Sequence, residues 1–149
     1  MADVVCKHGE GAAVEKFRDG ANLIIVLLKT AQADDTLRDY DDLAAALAAG
    51  GGTANVEANF TNYARKTVAN GSVTLTYDSA NNRYDIDIAD QTYTSAGGGT
   101  NNTLVKALFC EDGANDAARK ILTAQDCAVT TDGNNLVLQI ATAGFYRAA

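Results

Sequence analysis

The run Leu-Ile-Ile-Val-Leu-Leu at 23–28, inside NLIIVLLKT (22–30), constrains this chain more than any other feature. Six consecutive large apolar residues leave no polar side to face water. As a strand, the segment is buried on both faces and needs a packed layer on each side. Its branched residues favour that reading, although periodicity alone does not separate it from a buried helical segment. It falls far short of the roughly 18 apolar residues that span a bilayer.

From residue 55 the apolar period becomes two. NVEANFTNYARKTV (55–68) reads as a first β segment and SVTLTYD (72–78) as the next, with Asn70-Gly71 between them as a hairpin-turn signal. In the second segment Val73, Leu75 and Tyr77 alternate with Ser72, Thr74, Thr76 and Asp78. After a turn at SANN, the run 83–94 alternates again, with Tyr84, Ile86 and Ile88 opposite Arg83, Asp85 and Asp87. This is a meander with one wet face. SAGGGTNN (95–102) reads as a flexible loop, 103–112 as another buried strand, and 121–129 and 134–148 as the closing pair around the Asp132-Gly133 turn.

Helical signals are few. GAAVEKFRDG (11–20) fits a short helix ended by Gly20. DDTLRDYDDLAAALAAGGG (34–52) fits one with Asp39 or Asp41 as cap, centred near 39–49, with Leu43, Ala46 and Leu47 on one stripe and Gly50 to Gly52 as its stop. The expected fold is mainly β: an antiparallel β-sandwich of about 6–8 strands with one or two short helices, a helix covering one end or edge. The domain spans 21–149, preceded by an N-terminal arm, 1–20, free to make contacts. At 149 residues one domain buries a full core.

Charge narrows the function. The net charge is −7, so general binding to nucleic acid or anionic membrane is disfavoured. No basic-then-apolar leader opens the chain, which points to a reducing cytoplasm as the place of synthesis. Cys6, Cys110 and Cys127 are odd in number and widely spaced, so neither a disulfide framework nor a zinc site is expected. Cys110 and Cys127 read as small buried hydrophobes. Proline and tryptophan are absent, and the lone histidine is His8 in a Gly-flanked segment.

Candidate chemistry is thin. Asp85 and Asp87 share a strand face about 7 Å apart, a spacing that suits a cation, but beside Arg83 they read as a solvated face. DYDD (39–42) lacks the glycine and glutamate of a calcium loop and serves a helix start instead. GGGTNN has the glycine of a phosphate cradle without the Gly-Lys-Ser/Thr continuation. In NFTNYARKTV, strict alternation sets Phe60, Asn62, Ala64 and Lys66 on one face and Thr61, Tyr63, Arg65 and Thr67 on the other. That split argues against a base-stacking surface. Arg65 is placed to pair with a carboxylate, within the domain or across a subunit interface. Phe145, Tyr146 and Arg147 combine aromatic and guanidinium character as interface anchors do. No catalytic, cofactor or metal residues are expected.

The block TLRDYDDLAAALAAGGGTANVEANFTNYARKTV and the order of the segments C-terminal to it resemble a family of small virion structural proteins of tailed bacteriophages. The matching pieces are Tyr63-Ala64-Arg65, the hairpin from Val73 to Asp87, Thr92-Tyr93, Thr131-Asp132-Gly133 and Gly144 to Ala148, over about residues 21–149. The resemblance implies a decoration (cement) protein on the capsid exterior, bridging subunits of the major capsid protein and free to self-associate on the lattice. It implies no enzyme, nucleic acid or membrane. A tail or head-tail connector component, or a fibre-type binding module, is the alternative. The expected contact lies in the arm 1–20, in an edge strand such as 22–30, or in AGFYRAA (143–149), with Phe145, Tyr146, Arg147 and Arg65 as interface residues.

Overall fold

A computed structural model describes residues 19–141 and 144–148, with residues 147 and 148 as backbone only. The arm 1–20, the helix expected over 11–20, His8 and Cys6 fall wholly or almost wholly outside that range. The described chain is mainly β and antiparallel, a sandwich-like fold. In order it forms β1 (Leu23–Thr30), α1 (Asp34–Leu37), α2 (Leu43–Gly52), β2 (Val56–Glu57), β3 (Lys66–Val68), β4 (Thr74–Asp78), β5 (Arg83–Asp87), β6 (Gln91–Tyr93), β7 (Thr103–Glu111), β8 (Lys120–Thr130), β9 (Leu136–Leu138) and β10 (Tyr146–Ala148). Ten strands among the described residues exceed the expected 6–8, because three long β segments, 55–68, 83–94 and 134–148, are each cut in two.

The main sheet has the order β2-β1-β7-β8, with β3 also paired to β1 beyond β2. Opposite lie a three-stranded sheet, β10-β5-β4, and a two-stranded ribbon, β6-β9. The core between these layers takes Leu23, Ile25 and Leu27 from β1, Phe109 from β7, Ile86 from β5, Tyr93 from β6 and Leu138 from β9. The other face of β1 presents Ile24, Val26 and Leu28, which pack with Leu108 and Cys110 of β7 and with Leu43 of α2. This is why 23–28 carries no polar residue: sheet covers one side and helix the other. The helical segment thus lies over a face of the main sheet, not over an end or edge as expected. β1 is also central, flanked by β7 on one side and β2 and β3 on the other.

The expected single helix breaks at DYDD. Aspartates favour caps over helix interiors because their side chains compete for nearby backbone donors. Asp42, rather than Asp39 or Asp41, takes the cap: its carboxylate accepts the Ala45 N–H at 2.9 Å. The carbonyls of Arg119 and Asp116 accept the Leu43 and Ala44 N–H groups, so the loop after β7 seats the start of α2. At Ala49 the backbone leaves helical geometry.

Two expected β features also change. Asn70-Gly71 does not close a hairpin. It forms a short 3-10 turn, with Ser72 N–H on the Ala69 carbonyl, and carries the chain from β3 in the main sheet to β4 in the opposite one. The 134–148 segment is no single strand: β9 pairs with β6, and β10 pairs with β5. Gly144 makes the entry into β10 possible. Its φ is +79°, and a Cβ there would sit 2.1 Å from the Ile86 carbonyl oxygen. By contrast, the β4-β5 hairpin forms around the expected SANN turn, pairing Asp78 with Arg83 and setting the Tyr77 and Tyr84 rings 5.1 Å apart across the pair.

Candidate interaction surface

Strict alternation fails within 55–68 because the chain turns at Thr61-Asn62. Asn62 has φ +68° and the Tyr63 N–H bonds the Phe60 carbonyl at 2.9 Å. Phe60 and Tyr63 therefore point the same way and meet edge to face at 5.1 Å, with Tyr93 as the third ring at 6.2 and 6.3 Å. The Lys66 ammonium sits 5.0 Å from the centre of the Tyr93 ring. Aromatics and a cation do gather here, but the rings serve the core.

Arg65 pairs inside its own chain. Its guanidinium donates to both oxygens of Glu57 at 2.7 and 2.6 Å and to both oxygens of Asp116 at 2.6 and 3.0 Å. Tyr63 Oη donates to Glu57 at 2.9 Å and accepts the Leu27 N–H at 3.1 Å. Arg119 extends the chain of charges from Asp116 to Asp112. Two arginine partners hold the Asp116 carboxyl well below the usual range, at about 2, and two carboxylates raise the Arg65 pKa further. Burial chiefly, then the Glu57 charge, raises the Tyr63 hydroxyl. This network ties the β2–β3 segment to the loop after β7 and, through Asp116 and Arg119, to the start of α2. Sequence offered Arg65 as a pairing residue, but nothing in it named Glu57 or Asp116, 8 and 51 positions away.

The loop SAGGGTNN is strapped rather than loose. Gly97 N–H bonds the Thr61 carbonyl at 2.9 Å, Gly98 N–H bonds the Asn101 side chain at 2.8 Å, and Thr100 N–H bonds the Thr61 hydroxyl at 2.8 Å. Asp85 also departs from a fully wet face: it lies half-buried, 3.1 Å from Arg83. Asp87 accepts the Ile88 N–H at 2.8 Å. Cys110 and Cys127 are free and buried, as expected. Burial pushes the Cys110 thiol up to about 12.

The C-terminal candidates separate. Phe145 is 3% exposed and stacks on Phe109 at 4.9 Å, so it belongs to the core. Tyr146 next to it is 38% exposed. Register sets Arg147 opposite Asp85, and its side chain lies outside the described residues. Tyr146 borders the one long strand that, among the described residues, pairs on a single side. That strand is β8, held only by β7. It replaces 22–30 as the edge of the main sheet.

Three clefts line β8. One, about 330 Å³, lies between α1 and β8, floored by Leu37, Ile121 and Ala124 and rimmed by Asp34, Asp35 and Arg38. A second, about 520 Å³, lies between Leu122, Thr123 and Gln125 of β8 and Phe145 and Tyr146. A third, about 470 Å³, follows the far end of β8 beside Val105. Gln125 ties β8 to the C-terminal segment by donating to the Phe145 carbonyl at 3.0 Å. Beneath the acidic rim, Lys106 is only 7% exposed, and its ammonium contacts Asp34 at 2.7 Å and also Asp126. Those two carboxylates raise its pKa and keep it charged. The lone lysine inside TLVKALF was the sequence signal for this cluster.

Among the described residues, no helix is long and apolar enough to cross a membrane, and no three His, Cys, Asp or Glu side chains group to hold a metal ion. Compared with known protein families, curated proteins and solved structures, the chain matches none.

Proposed function

We propose that this chain is a virion structural protein of a tailed bacteriophage, a decoration protein that sits on the outside of the capsid and bridges subunits of the major capsid protein. The observation that carries this is the β8 face: a sheet edge that is open among the described residues, with clefts on both sides and the half-exposed Tyr146 beside it. Such a face suits docking to another protein. The body behind it is braced by the Arg65 network and the strapped loops, so it loses little freedom on binding. The resemblance of the sequence to small phage virion proteins points the same way. An acidic exterior protein also avoids the packaged genome. On a repeating shell, many modest contacts add up to firm retention.

The strongly shifted groups, Tyr63, Arg65, Tyr93, Asp116 and Cys110, owe their shifts to burial and structural pairs, so no catalytic residue is assigned. Cryo-electron microscopy of the intact particle tests the proposal. Density for this fold repeated over the shell lattice is the expected result. Density confined below the portal vertex would make the chain a connector component, and its absence from the particle would overturn a virion role.

A further inference from the structure

We infer that β8 is an acceptor for strand addition: it takes an extended, basic and apolar segment of a partner chain as the next strand of the main sheet. The inference deepens the reading of this face as the capsid contact and rests on it. An edge strand presents unpaired backbone donors and acceptors, and a bound strand satisfies them while alternate side chains enter pockets on the two faces. β8 has that layout, with the α1 cleft on one face and the Tyr146 cleft on the other. Pairing with β7 steps from Phe109↔Thr123 to Cys110↔Ile121, so Leu122 is an extra, bulged residue. A second irregularity falls between Leu104↔Val129 and Lys106↔Asp126. The regular stretch between them is 123–126. Bulges of this kind stop an edge from recruiting any passing strand. Here they confine pairing to one short register.

Charge selects the occupant. The rim of the α1 cleft carries Asp34 and Asp35, with Asp126 close by; these three exposed carboxylates face two cations, the exposed Arg38 and the nearly buried Lys106 beneath them, so the surface offered to a partner is net acidic. Side chains entering that cleft are therefore lysine or arginine, while those on the Tyr146 side are apolar. A second copy of this chain fits poorly, because each copy carries −7.

The test uses the full chain and a labelled peptide of six residues alternating Lys and Val. Fluorescence anisotropy gives binding, and amide exchange followed by NMR gives location. The expected result is saturable binding that slows exchange within 123–126. An equally charged Lys-Gly peptide should bind without that protection, and a Glu-Val peptide should not bind. Asp35→Lys, at a side chain 86% exposed, should weaken Lys-Val binding about threefold to fivefold, the size of one exposed ion pair, without altering the fold. No binding, or protection elsewhere with 123–126 unchanged, overturns strand addition. Occupancy on capsids separates this from the broader proposal. If an Asp35→Lys, Thr123→Lys double variant, folded by circular dichroism, decorates capsids as well as the parent, strand addition falls and decoration stands. If the parent protects 123–126 with peptide yet is absent from capsids, the reverse holds.

Discussion

β1 and β8 belong to one sheet, separated only by β7, yet they live under different rules. β1 is buried on both faces and paired on both edges. β8 is half-exposed on both faces and, among the described residues, paired on one edge. In β1, LIIVLL tolerates nothing polar because each side chain meets either the opposite sheet or α2. In β8, KILTAQDCAVT mixes apolar, polar and charged residues because each serves a cleft, a rim or a neighbouring strand. Burial of a strand's faces is thus written in its composition, whereas the openness of its edge is not.

Mutations should separate the two strands in a graded way. The largest effect is expected at β1: Ile25→Ala removes a fully buried side chain between two layers and should destabilise by about 2–5 kcal/mol in denaturant melts. Thr123→Ala on β8 should stay within about 0.5 kcal/mol, as for an ordinary half-exposed position. Equal losses at the two sites would erase the contrast.

Next is the brace that holds the helix layer over β1. Arg65→Met leaves Glu57 without its cation and Asp116 with Arg119 alone; the two carboxylate side chains are 25% and 30% exposed. The cost should be about 2 kcal/mol, between the values for surface pairs and for fully buried pairs. The same brace sets a pH window. Asp116 has a folded pKa of about 2, below its ordinary 3.8. Its contribution is therefore complete above about pH 4 and lost as pH falls towards 2. Arg65→Met should flatten that part of the stability curve; an unchanged curve would mean that other carboxylates dominate.

The smallest effects concern thiols. Cys110 lies beneath α2 on the central strand β7, and Cys127 lies on β8. Both thiols are raised by burial. In native protein both should resist alkylation, with Cys127 labelling faster because the edge strand opens more readily. Mass spectrometry of labelled peptides reads the order directly, and faster labelling at Cys110 would contradict it.

Local signals carried well where neighbours in sequence are also neighbours in space. The β4-β5 hairpin and the runs that became β7 and β8 follow from alternation and turn chemistry over a few residues. Expectations that needed distant partners failed together. The Asn70-Gly71 turn joins two sheets because β3 finds β1, some 40 positions back, rather than β4. Phe60 and Tyr63 share a side because the turn at Asn62 is fixed by the 95–102 loop: Asn62 donates to the Ser95 carbonyl at 2.9 Å.

The class of the fold was therefore legible in the chain alone: mainly β, antiparallel, with one strand sandwiched between layers and no room in it for a polar atom. That much is legible because burial on a strand face acts residue by residue, through hydrophobic transfer and a period of two. Which strand is central and which is an edge emerged only on folding. So did the inward turn of Arg65 to Glu57 and Asp116, and the division that puts Phe145 in the core and Tyr146 outside. Those outcomes depend on pairings between residues tens of positions apart, where the energy lies in the contact and not in either residue alone.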